Sequence, residues 1–330
     1  MPMDRRKFLK AGVAGLSGSF VFGGLSAGFP RSAQAANIVI DFTVEEVMKT
    51  VPVNRPILTW QYVNVTQPGP GALSSGIVVT EGDTVTINIQ NNLSSNYSVN
   101  LVCPGLLGTS VAAAPGGIQS YTFVATNPGS YLYYDDNNGD LGRAMGLMGP
   151  LVVKPLGGSQ ALTPLNLNPN NFDREYTIVT HELDSRINDA VAAGLPFDLT
   201  SYQPDYFFVN GLSYPETVRD PAGNIDDTKV ILMSVGQNVA LRLINGGLIY
   251  YPMHFHGYHV NVVTRDRMLE EYIVEKDTVL IKTGEAVEAI LPVGDLIGLY
   301  PLHTHYVPGV TTSGYYAGGG LLMMKSVLGV

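Results

Sequence analysis

The chain has 330 residues and a formal net charge of −9, with 28 acidic and 19 basic side chains. This negative balance argues against nucleic acid or an anionic membrane surface as a partner. Only 14% of the residues are charged, while glycine and proline number 37 and 21, as in chains of many short strands and turns. The one cysteine, Cys103, excludes a disulfide within the chain and is expected to be buried.

Residues 1–35 have the pattern of an export signal. The paired arginines of Asp4-Arg5-Arg6-Lys7-Phe8-Leu9-Lys10 precede a weakly hydrophobic, Gly-rich stretch, and Ala33-Gln34-Ala35 is typical of a cleavage site. This resembles a twin-arginine signal rather than a Sec signal or a retained anchor. We therefore expect a periplasmic or extracellular protein, exported by the twin-arginine route. No other apolar stretch approaches the ~18 residues that span a bilayer, so no membrane span is expected after cleavage.

The rest of the sequence predicts short strands separated by turn signals. In the first half these are Thr84–Ile89, Tyr97–Val102, Ser120–Ala125, Tyr131–Tyr134 and Pro150–Lys154. In the second half they are Tyr176–Thr180, Phe207–Val209, Val230–Ser234, Val239–Ile244, His254–Val263, Thr278–Lys282, Ala286–Leu291 and Leu321–Val327. The segment Val44–Lys49 is also compatible with a short helix.

The two halves of the chain resemble each other. Residues 81–91 (EGDTVTINIQN) match residues 235–245 (VGQNVALRLIN), and each half ends in a Gly-rich turn followed by an apolar strand. This repeat predicts two copies of one β-sandwich, at residues 37–157 and 170–330. The segment Pro155–Asp173 is expected to link them.

Two His-x-His triplets, His254-Phe255-His256 and His303-Thr304-His305, stand out in a chain with six histidines. Residues i and i+2 of a strand share a face, so each triplet can direct two imidazoles at one point. If the two strands are neighbours, four neutral imidazoles converge on a site suited to copper, zinc, iron or nickel.

On these motifs the chain resembles the multicopper oxidases, specifically the two-domain form related to laccase and nitrite reductase. The similar segments are Val209-Asn210-Gly211, the run from Tyr251 to Gly257, Asp277-Thr278-Val279 and the run from Leu302 to His305. The resemblance implies an all-β fold with two tandem cupredoxin-like Greek-key β-sandwich domains. It also implies copper as the cofactor, with the histidine motifs confined to the second domain.

The chain departs from the family at the type 1 copper, which normally has a Cys and two His ligands. The resemblance places Thr304 at the cysteine position, and Tyr251 and Gly309 at the histidine positions. Because a type 1 site depends on its thiolate, this site is expected to be lost.

Half of the trinuclear copper cluster is also expected to be missing. The motifs of the first domain correspond to Asn100–Cys103 and Tyr133–Asp136, which contain no histidine. The four remaining ligands are expected to hold one copper ion per chain, with zinc as an alternative. In two-domain relatives the cluster forms between subunits, usually of a trimer, so a homotrimer is expected. Tyr134, Asp135 and Asp136 of a neighbour are then candidate interfacial groups.

Two further histidines receive weaker interpretations. His259 has odd offsets from His254 and His256, so on a regular strand it faces away from them and is expected to support the site or the core. His181 follows a predicted strand and is expected in a loop or on the surface.

Three functions remain open at this stage. The first is a copper-dependent oxidoreductase whose small redox substrate or partner reaches the metal directly. The second is a non-catalytic protein for copper binding or delivery, and the third is a copper-free scaffold of the cell envelope. The retention of both triplets argues against the scaffold, because a scaffold needs no imidazole cluster.

Overall fold

A computed structural model describes residues 35–51, 55–66, 76–94, 96–156 and 172–329. Nearly all of the predicted export signal, and most of the predicted linker between the domains, lie outside these ranges. In the described part of the chain, no helix is long and apolar enough to cross a membrane.

The first domain contains two sheets. One has the strand order β2-β1-β4-β5 and the other the order β3-β7-β6. The strands are β1 (Asn37–Val51), β2 (Arg55–Asn64), β3 (Ile77–Thr80), β4 (Thr84–Asn91), β5 (Ile118–Val124), β6 (Gly129–Tyr134) and β7 (Met148–Lys154). A short helix, α1 (Asp140–Met145), separates β6 from β7.

The second domain contains a six-stranded sheet, β14-β13-β16-β11-β8-β9, and a five-stranded sheet, β10-β18-β17-β12-β15. Its first strands are β8 (Arg174–Leu183), β9 (Tyr206–Val209), β10 (Ile231–Ser234), β11 (Asn238–Asn245), β12 (Tyr251–Phe255) and β13 (Val260–Arg265). The others are β14 (Met268–Lys276), β15 (Thr278–Ile281), β16 (Ala286–Pro292), β17 (Gly298–Thr304) and β18 (Leu322–Val327). Helix α2 (Ser185–Ala192) follows β8.

Alternation of side chains between faces explains how both domains form their cores. In β4, Val85, Ile87 and Ile89 are fully buried, whereas the intervening residues are only partly buried. The repeated strand β11 is buried on both faces, because Leu241 and Leu243 face the core of the second domain while Ile244 packs against Leu132 of the first. The predicted all-β fold of two cupredoxin-like sandwiches is confirmed, and the exact domain boundaries remain a prediction.

Some predicted elements were wrong. The segment Val44–Lys49 is not helical, because it belongs to β1 and pairs with β2 along its whole length. Residues 97–102 form isolated bridges rather than a strand. The predicted strand His254–Val263 is two strands, β12 and β13, separated by a turn at Gly257, whose φ of 73° favours glycine. The exposed strand β14 was not predicted.

A buried polar network joins the two domains. Glu288 accepts hydrogen bonds from Ser130 of the first domain at 2.7 Å and from Thr264 at 2.8 Å, and it pairs with Arg242. Arg242 also contacts Glu175 at 3.0 Å, and the side chains of Arg242 and Glu288 are only 1% and 2% exposed. This network fixes the orientation of the second domain's six-stranded sheet against β6.

Candidate metal centre

The two His-x-His triplets lie on neighbouring strands of the five-stranded sheet. β12 and β17 are antiparallel, and His254 lies directly opposite His303. The ring of His254 has its centroid 4.6 Å from that of His256, 4.4 Å from that of His305 and 6.0 Å from that of His303. The two strands therefore gather all four imidazoles in one cluster, hereafter the histidine cluster.

The histidine cluster lies on the outer face of the five-stranded sheet. The residues that alternate with it on β12, Met253 and Phe255, point into the core and are fully buried. The side chain of His254 is 18% exposed, and His305 is exposed. The cluster is thus open to solvent or to a neighbouring molecule.

Hydrogen bonds fix the tautomers of two of these histidines. His254 Nδ1 lies 3.0 Å from the carbonyl oxygen of Asp277 and 3.0 Å from Thr278 Oγ1, and His303 Nδ1 lies 3.0 Å from the carbonyl oxygen of Thr304. A carbonyl only accepts, so each Nδ1 carries the proton and each Nε2 keeps its lone pair. This is the arrangement by which proteins orient imidazole ligands toward a metal.

The Nε2 atoms of His256 and His303 lie 2.9 Å apart. His303 Nε2 carries no proton. The contact is therefore either a hydrogen bond donated by His256 Nε2–H, or a pair of unprotonated nitrogens that can bind one cation together. The neutral forms of His256 and His305 are favoured. Burial is the main cause that lowers their pKa, and the neighbouring imidazoles are the second cause. The donor set of neutral imidazoles suits copper or zinc.

The four imidazoles lie close together but are not arranged as a closed metal shell. Among the residues that the structure describes, no group of three His, Cys, Asp or Glu side chains forms a ready metal-binding arrangement.

In the first domain, the residues at the positions of the two missing motifs contact each other. Asn100 Nδ2 donates to Asp136 Oδ1 at 2.6 Å, and the Asn100 backbone N–H donates to Asp135 Oδ1 at 2.9 Å. Asp135 is fully buried and its second oxygen accepts from Asn138, whereas Asp136 is exposed. Tyr134 is partly buried and its ring packs on the Arg143 guanidinium at 5.3 Å. Of Asp135 and Asp136, only Asp136 presents its carboxylate to the surface.

Comparison with known proteins identifies the family. Two multicopper oxidase family profiles match the chain, at residues 52–157 and at residues 195–323. The chain belongs to the multicopper oxidase family. The resemblance inferred from the histidine motifs is thereby confirmed.

Individual relatives in the family are distant. The chain is 23% identical to copper resistance protein A of Pseudomonas syringae pv. tomato over 88% of its own length and 53% of that protein. It is 26% identical to the copper-containing nitrite reductase of Neisseria gonorrhoeae over 66% of its length and 51% of that protein. The chain thus spans about half the length of these relatives.

Solved multicopper oxidases share the fold. A blue copper oxidase from Nitrosomonas europaea superposes with a TM-score of 0.72 at 23% identity, over 88% of this chain and 86% of the other. A copper nitrite reductase from the same organism gives a TM-score of 0.68 at 18% identity, over 89% and 94% of the two chains. At these identities the likeness concerns the fold alone.

The residues that the resemblance assigns to the type 1 ligand positions are tightly packed. A Cβ atom at Gly309 would lie 2.4 Å from Thr304 Cγ2, so no larger side chain fits at residue 309 as packed. The phenol of Tyr251 donates to Glu182 Oε2 at 2.7 Å, and both residues are buried. No sequence motif indicated Glu182, which lies 69 residues before Tyr251.

The two remaining histidines differ from expectation. His259 lies in the turn between β12 and β13, its side chain is 57% exposed, and its Nδ1 is 4.0 Å from Glu275, so it is not a core residue. The expectation of a surface His181 was wrong: it lies within β8, is 2% exposed and stacks on Phe208 with ring centroids 5.7 Å apart. Neither of its ring nitrogens has a hydrogen-bond partner among the described residues.

The buried His181 makes stability depend on pH. Burial, followed by the charges of Lys49 and Arg143, lowers the pKa of His181 to about 3. An unfolded histidine has a pKa of ~6.5, so below that pH the unfolded chain binds a proton that the folded chain does not bind. The folded state therefore loses stability as the pH drops from ~6.5 toward 3. Between pH 7 and 4.5 this costs about 2–3 kcal/mol.

We expect His181→Leu to reduce this acid-dependent loss, measured by urea unfolding at pH 7 and pH 4.5. Phe208→Leu is the matched control, since it removes the stacking ring but keeps the imidazole. It should lower stability at both pH values and retain the wild-type difference between them. An unchanged difference in His181→Leu would show that other groups cause the acid sensitivity.

Proposed function

We propose that this protein is an exported, copper-binding oxidoreductase in which His254, His256, His303 and His305 hold one copper ion per chain. The observation that carries this proposal is the histidine cluster itself, in which the Nδ1 atoms of His254 and His303 donate to oxygen atoms and their Nε2 atoms keep lone pairs for a metal ion. Family membership supports copper as the metal, and zinc is the alternative ion. The paired arginines Arg5 and Arg6 near the N-terminus support export to the periplasm or the cell exterior.

Copper would supply one-electron redox chemistry at this site. The chain's own residues hold the imidazoles in place, and the outer face of the sheet leaves them reachable. Since the type 1 position is filled by Tyr251, Thr304 and Gly309, we infer that a small redox substrate or partner meets the histidine cluster directly.

Copper storage or delivery is the second candidate. The exposure of His305 favours it, because an ion held partly by a solvent-exposed imidazole can be handed to another protein. The two candidates differ in the fate of the copper. An oxidoreductase keeps its copper while it oxidises a reductant, whereas a delivery protein releases it.

Ordinary laccase activity should be absent. Four-electron reduction of O₂ needs a trinuclear cluster and an electron supply, and four imidazoles provide neither. We expect copper-loaded protein to show no turnover of phenolic or diamine substrates above that of free copper, measured by oxygen consumption. Sustained turnover by pure protein with one copper per chain would contradict this assignment.

We also propose that the protein is a homotrimer, with the histidine cluster at its interface. Leu280 of β15 and Leu299 of β17 lie on the same outer face as the cluster, by strand alternation, and are 44% and 42% exposed. Apolar side chains of neighbouring strands around half-exposed polar groups are typical of a protein interface. In such a trimer a neighbour's Asp136, exposed on the first domain, is the candidate to complete the metal shell.

Asp136→Ala should therefore weaken copper binding at least tenfold, judging from the ~10–100-fold effect of groups that support metal ligands. Copper titration with a competing chelator measures the affinity, and light scattering on loaded and metal-free protein reports whether copper tightens the trimer. Asp135→Asn is the matched control. Its buried oxygens bond within the first domain, so it should cost about 1–3 kcal/mol of stability and leave the copper affinity unchanged.

A monomer in both metal states, with unchanged affinity in Asp136→Ala, would mean that the four histidines act alone.

A further inference from the structure

A buried carboxylate, Glu182, is hydrogen-bonded to the buried phenol of Tyr251, which the resemblance assigns to a type 1 ligand position. Besides the hydrogen bond from Tyr251, Glu182 accepts from the backbone N–H groups of Leu248 and Ile249, and the Tyr202 hydroxyl lies 3.3 Å from its Oε1 atom. All of these groups donate to oxygen, as suits a carboxylate in its ionised form. Glu182 is fully buried, so water does not compete for these bonds.

The hydrogen bond to Glu182 gives the Tyr251 hydroxyl a basic group that can take up its proton. Several other buried tyrosines have no such group. The hydroxyls of Tyr62, Tyr176 and Tyr258 donate to backbone carbonyls, which are weak bases. One-electron oxidation of a phenol requires loss of its proton, so a phenol hydrogen-bonded to a carboxylate is oxidised more readily than one bonded to a carbonyl. Burial raises the pKa of Glu182, which makes this carboxylate a readier proton acceptor than an exposed one.

Tyr251 is also close to the histidine cluster along the chain. It lies three residues before His254 on β12, a separation of about 10 Å at ~3.3 Å per residue. Across the sheet, Met253 of β12 is paired with Thr304, which separates His303 from His305. Electrons can cross such a short path through the strand and its hydrogen-bonded neighbour.

We propose that Tyr251 is a redox-active tyrosine that supplies one electron to the metal site of the histidine cluster and passes its phenolic proton to Glu182. The proposal rests on the proposed function, since it needs copper at the cluster. With hydrogen peroxide as the oxidant the step balances. One peroxide takes one electron from copper(I), one electron from Tyr251 and two protons from solvent. It yields two waters, copper(II), a tyrosyl radical and protonated Glu182.

Two further tyrosines, Tyr306 and Tyr250, lie between the core that contains Tyr251 and the surface. Tyr306 packs against the core that contains Tyr251, and its ring makes an edge contact with Tyr250 at 6.4 Å. Tyr250 is 57% exposed. A small reductant at this surface can then restore Tyr251, so these tyrosines take over the electron entry that the type 1 copper provides in the family.

The test uses full-length protein loaded with copper(I), whose copper content is measured first. The protein is mixed with hydrogen peroxide, frozen and examined by electron paramagnetic resonance. We expect a tyrosyl radical in the wild type, its loss in Tyr251→Phe and its decrease in Glu182→Gln. Tyr202→Phe is the matched control, because it removes the other phenol near Glu182 and should keep the radical.

Peptide mapping of the oxidised wild-type protein makes the test independent of how the variants fold. Oxidation should be found at Tyr251. A radical that persists in copper-loaded Tyr251→Phe, or oxidation mapped only to other residues, would overturn this inference and leave the proposed function intact. Protein that binds no copper would overturn both.

Discussion

Removing His254 and His303 together should abolish copper binding. These two residues face each other across β12 and β17, and their Nδ1 hydrogen bonds orient them toward the centre of the cluster. His254→Ala with His303→Ala leaves two imidazoles, one of them on the exposed His305. Since a single group that only supports a ligand is worth ~10–100-fold in affinity, loss of two ligands should exceed that range. Equilibrium dialysis followed by metal analysis measures the copper retained per chain.

His259→Ala is the matched control for this experiment. It removes a nearby histidine whose side chain is 57% exposed and lies outside the cluster. Its copper content should equal that of the wild type. Equal retention by the double variant and the wild type would show that copper binds elsewhere on the chain.

Arg242→Met should strongly destabilise the fold. The guanidinium of Arg242 is nearly inaccessible and pairs with Glu288, which is itself buried and bonded to Ser130 of the other domain. The variant leaves Glu288 as a buried carboxylate without its cation. Breaking a buried pair in this way costs about 3–5 kcal/mol. Urea unfolding gives the change in the free energy of unfolding.

The double variant Arg242→Met with Glu288→Leu separates the charge effect from packing. Replacement of both partners by apolar residues removes the uncompensated charge, so it should recover part of the lost stability. A double variant less stable than Arg242→Met would indicate that Glu288 contributes mainly through Ser130 and Thr264.

The histidine cluster was accessible from the sequence because its geometry is local. Strand alternation places residues i and i+2 on one face, which relates His254 to His256 and His303 to His305. The pairing of the two strands followed from resemblance to the family and agrees with the register of β12 and β17. Whether the cluster binds copper remains a prediction.

The surroundings of several other polar residues could not be predicted, because they depend on contacts between residues that are distant in sequence. β8, which contains His181, continues to Leu183. The first domain covers this part of the strand, because Lys49 lies over the Phe208 ring at 4.8 Å. Glu182 of β8 meets Tyr251 of β12 across the two sheets of the second domain, with no local motif to indicate this contact. The sequence also could not tell which of Asp135 and Asp136 is buried.

The copper content and electron paramagnetic resonance spectrum of the wild-type protein test the central claim most directly. Titrated with copper(II), the protein should retain one ion per chain and show the spectrum of copper in a nitrogen ligand field. Because Thr304 stands at the cysteine position, the intense thiolate-to-copper absorption of the family should be absent. Three tightly held coppers per chain, or a strong blue colour, would contradict the account.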